Sequence, residues 1–336
     1  MIHILGLLIF LMSAGASNWK TFHLVSECRI YDLNDKLVFE YPGAMCQFLG
    51  DGSFINVTPN GLSLIDKNFH VMWHLPGHFH HQITLSEDGQ RILALSSEVV
   101  TKDSIKQRID KPMIIDLKGN VIHQVLSDDL LKQAKIDKKP LPAGAILFEQ
   151  LKVEVENTHF NSFYEIPKLN GKHMPDYIKQ GNFIVNGRHD GIFILSSDLK
   201  TLLHHFYLSQ SIDHRVHDVQ VMEDGNYLLF NNTVKTTLPM PHFSAMQEID
   251  SNTKQVVYEF TGTPKGIFHS YVSGAVQRLD QNHYLLTHPH IGSFLFSKSE
   301  NRFLYIYRST HWVNRMNVPA HQVRAYDLAD FFKNKK

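Results

Sequence analysis

One phrase recurs along the chain and restricts its fold more than any other feature. His81-Gln-Ile-Thr-Leu-Ser-Glu-Asp-Gly and His217-Asp-Val-Gln-Val-Met-Glu-Asp-Gly both open on histidine, alternate apolar with polar residues and end in an Asp-Gly turn. Each continues into a second apolar stretch, from Arg91 in one and from Tyr227 in the other. Alternation, tight turn and a second apolar run form the pattern of a β-hairpin. The phrase returns with drift at Ala44 to Gly52, without the histidine, and at Gly274 to Asn282, with glycine in the histidine slot. It also returns at His159-Phe-Asn-Ser-Phe-Tyr-Glu-Ile, where a longer insert precedes Gly181-Asn-Phe-Ile-Val. Second phrases beginning at Leu62, Met113, Ile192 and Met246 each read as strand, Asp/Asn turn, strand.

Four short strands per repeat, at a period of about 60 residues, are the signature of a β-propeller blade. The repeats amount to five or six blades, and six four-stranded blades is the expectation. Cys28 to Glu40 matches only the second half of a blade, whereas His321-Gln-Val-Arg-Ala-Tyr-Asp-Leu offers strands for the missing half. Strands from both termini then close the ring and remove an exposed sheet edge. The expected fold is therefore all-β, a single propeller domain over residues 20–332. Asp128 to Ile136 is the one convincing helical stretch, and it reads as a loop insertion.

Ahead of the repeats, Ile4 to Met12 is apolar and short for a bilayer span, and Ala14-Gly15-Ala16 supplies small residues of the kind a signal peptidase prefers. Residues 1–16 read as an export signal, with an uncleaved anchor as the alternative. The expected location is periplasmic or secreted, with no membrane span after cleavage. Cys28 and Cys46 are the only cysteines; in an oxidising compartment they either pair or stay as two buried thiols. With 33 basic and 33 acidic side chains the chain carries no net charge, which argues against a nucleic-acid partner.

The chain also holds 22 histidines, and the repeat selects among them. First strands of propeller blades line a central channel, so equivalent positions in successive blades converge. His81, His159 and His217 are thus expected to face one another at the channel mouth. Individually each could instead cap its strand; three at one slot favour a site. Imidazoles in a ring can bind a metal or handle an anion. Arg188, in Asn186-Gly-Arg-His-Asp-Gly, favours the anion, because a guanidinium repels a metal ion and binds sulfate or phosphate oxygens in a bidentate way.

At these residues the sequence resembles the bacterial aryl-sulfate sulfotransferases. His159-Phe-Asn-Ser followed by Arg188-His-Asp is similar to that family's His-x-Asn-Ser strand and its downstream Ser-Arg-His/Asn phrase. His217-Asp-Val followed by Leu228-Leu-Phe-Asn-Asn is similar to its His-Thr/Asp-Ala strand and Phe-Asp-Asn-Gly. The resemblance runs from about residue 75 onward, and is strongest from 155 to 290. It implies a six-bladed propeller that moves a sulfuryl group from an aryl sulfate to a phenol through a sulfated histidine, with no nucleotide sulfate donor and no cofactor. Carried over, His217 is the nucleophile. His81, His159 and Arg188 bind the sulfuryl or leaving oxygens, and Asn161, His189 and Asn232 line the substrate. Two other readings stand beside it. One is a non-catalytic exported propeller that binds an anionic, glycan or peptide ligand. The other is a metal-dependent hydrolase built on His78, His80 and His81 with His217.

Overall fold

The computed structural model describes residues 22–26, 28–32, 36–137, 140–142, 153–170, 174–208, 216–235, 242–261, 274–288, 292–307 and 323–327. The expected export signal at 1–16 and His321 lie outside these. In chain order the first strands are β1 (Phe22–Ser26), β2 (Arg29–Tyr31) and β3 (Leu37–Glu40). They are followed by β4 (Met45–Phe48), β5 (Phe54–Thr58), β6 (Gly61–Ile65) and β7 (Val71–Pro76). Then come β8 (His78–Leu85), β9 (Arg91–Lys102), β10 (Ile105–Asp116), β11 (Val121–Gln124), the helix α1 (Ser127–Gln133), β12 (Leu141–Pro142) and β13 (Val155–Glu156). The next two groups are β14 (Phe160–Glu165), β15 (Phe183–Gly187), β16 (Gly191–Leu195) and β17 (Leu202–Phe206), and β18 (Val216–Val221), β19 (Tyr227–Lys235), β20 (His242–Ile249) and β21 (Val256–Phe260). The last are β22 (Ala275–Arg278), β23 (His283–His288), β24 (Gly292–Ser297), β25 (Arg302–Tyr307) and β26 (Val323–Asp327).

The fold is an all-β propeller with four-stranded blades. The expectation of six such blades is corrected to five among the described residues: β4–β7, β14–β17, β18–β21, β22–β25, and β26 with β1–β3. The sheet that carries His81 departs from the pattern. Its β9 and β10 run 12 residues each, and the extended hairpin recruits β12 and β13 to form six strands. First strands lie against one another in succession, β4 on β8, then β14, β18, β22 and β26, and β1 returns to β4. β26 pairs antiparallel with β1, so the chain's two ends share one sheet. Cys28 and Cys46 are disulfide-bonded with Cα atoms 4.9 Å apart, tying that closing sheet to the next blade. Cross-linking residues 18 apart in sequence removes unfolded-state entropy worth roughly 3 kcal/mol.

The core lies in the seams between sheets. Phe160, Phe163, Phe183 and Phe193 pack with Leu93, Leu95 and Ile114 of the enlarged sheet. The helix expected at Asp128 to Ile136 spans Ser127–Gln133 and buries Leu130 and Leu131 in that same seam. Ile184, Ile192 and Ile194 meet Val219, Tyr227 and Leu229 in the next seam, and Leu228 and Phe230 meet Val276, Tyr284 and Phe294 in the one after. Alternation explains why one blade feeds two seams: neighbouring residues on a strand point to opposite faces.

Hydrogen bonds lock the first strands together. Ser162 Oγ accepts from Val219 N at 3.1 Å, and Thr84 Oγ1 donates to the Phe163 carbonyl at 3.1 Å. Asp218 joins three blades: Tyr164 OH donates to one carboxylate oxygen, and Val276 N donates to the other at 2.7 Å. Gly274, in the histidine slot of the fifth repeat, has φ +150° and sits where a Cβ would lie 2.2 Å from the Phe230 ring. Phe230 is the cross-strand partner of His217. Glycine at this slot therefore makes room for the residue that backs His217.

Candidate functional site

Three successive first strands are bulged where the histidines lie: β8 between Phe79 and Ile83, β14 between Phe160 and Ser162, and β18 between His217 and Gln220. His81 and Asp218 have φ values of 59° and 56°, a left-handed conformation that costs a non-glycine residue about 1–3 kcal/mol and is concentrated at functional sites. A bulge re-aims the side chains around it.

The hairpin turns correct the repeat. Turn contacts align Ser86, Ile166 and Met222, each of which donates across the hairpin to Arg91, Asn182 and Asn226 respectively. Counting back along the strands puts Asn161, rather than His159, in the slot of His81 and His217. His159 lies two residues upstream, just ahead of β14. It still reaches the site: His159 Nε2 is 3.2 Å from His81 Nε2, with the rings edge to face.

His217 is 5% exposed. Its Nδ1 is 2.6 Å from Asn232 Oδ1 on β19. A carboxamide oxygen only accepts, so Nδ1 carries the proton and Nε2 holds the lone pair. Asn232 is therefore placed as the group that fixes the His217 tautomer. The blade bearing His159 and Arg188 is fastened directly beside His217. Asn161 Nδ2 and Asn186 Nδ2 both donate to the Val216 carbonyl, at 3.2 and 2.6 Å. The oxygens of both carboxamides are buried with no hydrogen-bond partner among the described residues, leaving two acceptors for a donor group. Arg188 starts the turn after β15, and its backbone N–H donates to the His159 carbonyl at 2.7 Å. His189 follows in the same turn and is half-buried. The structure thus joins His81 to His159 side chain to side chain, Arg188 to His159 through the backbone, and His217 to the same blade through Asn161 and Asn186.

Behind His81 and His159 lies a buried charged group that the repeat did not reveal. His80 Nδ1 is 2.6 Å from His81 Nδ1. His80 Nε2 is 3.1 Å from Asp110 Oδ1 and 3.3 Å from Arg108 Nη2. Arg108 Nε and Nη2 reach Asp110 Oδ1 at 2.8 and 2.7 Å, and Nη1 lies 3.6 Å from Glu156 Oε2. Asp110 Oδ2 accepts from Phe160 N at 2.7 Å. Glu156 Oε2 is 3.0 Å from His159 Nδ1. Arg108 and Asp110 are 1% and 0% exposed, so each charge depends on its partners rather than on water.

Their environments set the proton states. Burial, reinforced by Arg108, pushes His80 down to about 4, so it is a neutral ring at physiological pH. Burial, again with Arg108, lowers His78 as well, and His78 Nδ1 turns to Ser97 Oγ at 2.9 Å. Burial alone would raise the Asp110 carboxyl, but Arg108 and His80 outweigh it and hold it well below the usual carboxylate range. Glu156 is held low in the same way, burial being outweighed by His159 and Arg108. His78 and His80, named in the metal-hydrolase reading, therefore face a hydroxyl in one case and a guanidinium with a carboxylate in the other.

Arg108, Asp110 and Glu156 had a signal in the sequence. Arg108-Ile-Asp110 puts two opposite charges on one face of a strand, and Glu156 precedes His159 by three residues. Their convergence was not visible, because β13 joins β10 in parallel, pairing Arg108 with Glu156 across 48 residues of chain.

No protein-family model and no curated protein matches the sequence. Among solved structures, the chain is similar to a protein of unknown function from Bacteroides caccae, with TM-score 0.55 and 10% identity, over 90% of this chain and 97% of that one. It is also similar to the β-propeller domain of Cps50 from Myceliophteria thermophila, with TM-score 0.43 and 11% identity, over 83% of this chain and 69% of that one. The likeness to the Bacteroides protein supports the propeller fold and nothing beyond it.

Proposed function

We propose that this chain is an exported sulfuryl-transfer enzyme of the aryl-sulfate sulfotransferase kind, with His217 as its nucleophile. The observation that carries this reading is the His217–Asn232 hydrogen bond, which sets a buried imidazole in the tautomer whose Nε2 lone pair is the nucleophile. That nitrogen attacks sulfur, the bond from sulfur to the phenolic oxygen breaks, and the SO₃ group rests on His217. A second phenol then attacks the same sulfur and releases the ring, which is the ping-pong course of covalent catalysis. The transition state spreads negative charge over the sulfuryl oxygens. Arg188, anchored on the His159 carbonyl, is the cation suited to meet it. Asn161, His189 and Asn232 complete the proposed surroundings of the substrate, and no cofactor takes part in the proposed step. The Cys28–Cys46 disulfide supports an oxidising compartment and so the periplasmic or secreted location.

The test is mass spectrometry after incubation with an aryl sulfate. The expected product is a peptide containing His217 that is heavier by about 80 Da, the mass of one SO₃ group held covalently. Phenol release should accompany it, and His217→Ala should show neither. A protein that binds aryl sulfate yet gains no mass and frees no phenol is a binding propeller. Activity abolished by chelators and restored by a divalent ion would return the metal-hydrolase reading.

A further inference from the structure

The peptide that carries His217 is held from three sides. Asn161 Nδ2 and Asn186 Nδ2, on the β14–β17 blade, donate to the Val216 carbonyl. From the same blade, Ser162 Oγ accepts from Val219 N, and Tyr164 OH donates to Asp218 Oδ1. From the β22–β25 blade, Val276 N donates to Asp218 Oδ2 at 2.7 Å. Within its own blade, His217 Nδ1 meets Asn232 Oδ1 on β19. Asp218 thus ties this peptide to both neighbouring blades at once.

Asp218 lies in the β18 bulge between His217 and Gln220, with φ 56°. A left-handed residue other than glycine is costly, and it persists where the surroundings hold it. Here the hold comes through the residue's own side chain. The carboxylate is 1% exposed, so its charge depends on the donors that neighbouring blades supply. Counted from the hairpin turns, the position after the repeat slot is Met45, Gln82, Ser162 and Ala275 in the other four repeats. A carboxylate stands there only beside His217. A bulge re-aims the side chains next to it, so the backbone turn at Asp218 sets the direction of His217 relative to Asn232 on β19.

Resting on the sulfuryl-transfer reading, we infer that Asp218 is the positioning residue that aims His217. Its carboxylate, clamped between Tyr164 and Val276, holds the bulged peptide in the left-handed turn that keeps His217 Nδ1 on Asn232 and leaves Nε2 for the sulfur. The role is one of placement and not of charge. A carboxamide can serve both partners: its oxygen accepts from Val276 N, and its NH₂ donates to the Tyr164 hydroxyl oxygen. Asparagine also enters the left-handed region more readily than most residues. Asp218→Asn should therefore preserve the placement. Asp218→Gly keeps the backbone conformation accessible but releases the clamp.

Two readouts on the full chain test this. The first needs no substrate. In nitrogen NMR of ¹⁵N-histidine-labelled protein, the neutral His217 ring of the parent and of Asp218→Asn should keep its proton on Nδ1, whereas Asp218→Gly should exchange between both tautomers. The second is the rate of sulfohistidine formation at saturating 4-nitrophenyl sulfate. Asp218→Gly should be slower by about tenfold or more with KM little changed, because a misplaced reacting group loses rate steeply. Asp218→Asn should restore the rate. Tyr164→Phe removes one arm of the clamp and should fall between parent and glycine variant in both readouts, so it decides the matter where Asp218→Gly does not fold. If either readout stays parental in Asp218→Gly, or in Tyr164→Phe where that variant alone folds, the clamp serves stability only and the inference is overturned. An Asp218→Asn as slow as Asp218→Gly assigns the effect to charge and overturns it as well. The two failures are distinguishable: a parent that gains no mass on His217 removes the sulfuryl-transfer reading, while the His217 tautomer reports on its aiming without substrate.

Discussion

Two regions of this propeller enclose a cation, Arg108 fully and Lys254 by half, and they do it by opposite means. On the first-strand side, Arg108 is enclosed by Asp110, Glu156 and His80. At the seam between the β14–β17 and β18–β21 blades, Lys254 Nζ lies 5.4, 4.3 and 5.0 Å from the ring centres of Tyr177, Phe206 and Tyr227, and donates to the Tyr177 hydroxyl at 2.9 Å. Burial in that cage lowers Lys254 to about 8, against the opposing pull of Asp250. Aromatic faces solvate a cation without accepting its proton in a defined direction. Two carboxylates and an imidazole instead hold the charge through hydrogen bonds and ion pairs of defined direction. The cage fastens two blades; the Arg108 cluster ties β10 to β8 and β13.

The largest expected effect separates the two directly. Arg108→Met strands two carboxylates in a dry interior, and its urea midpoint should report a loss of about 3–5 kcal/mol. A loss under about 1 kcal/mol would mean that water reaches Asp110 and would erase the contrast.

A smaller effect comes from pH. The folded chain holds His80 at about 4 against an ordinary 6.5. Between those values the unfolded chain binds a proton that the folded chain refuses. Stability present above 6.5 should therefore fall as pH drops toward 4, by about 3 kcal/mol. Asp110 and Glu156, both held below their ordinary values, should add further loss as the pH falls below the usual carboxylate range. Urea unfolding across pH should show both portions, and His80→Gln should remove only the first. An unaltered profile in that variant would assign the whole slope to the carboxylates.

The smallest effect belongs to the cage. Lys254→Met keeps the apolar stem among the rings and should cost about 1–2 kcal/mol by urea unfolding. A loss matching that of Arg108→Met would show that rings and counter-charges hold a buried cation equally well.

Much of the architecture could be read beforehand because its causes are local. Asp-Gly turns, period-two alternation and second-hairpin phrases at Leu62, Met113, Ile192 and Met246 each became strand pairs at the expected places. The pairing of β1 with β26 was legible too, because Cys28 to Glu40 lacked the first half of a blade. The departures come from longer-range causes. The β9–β10 hairpin overruns the usual blade and enlarges its sheet. His159 lies seven residues ahead of the aligned turn residue Ile166, whereas His81 and His217 lie five ahead of Ser86 and Met222, so it falls outside the repeat slot.

Sequence by itself determined the repeating hairpins and the histidines that open two of them, since alternation and turn chemistry act over a few residues. Tertiary structure alone decided that His159 meets His81 and that Asp110 and Glu156 cap the two ends of one imidazole line. The first contact joins positions 78 residues apart, and the pairing of Arg108 with Glu156 that brings the two carboxylates together spans 48. They exist because ring closure and a parallel pairing bring separate strands together, and a buried charge must then find its partner there.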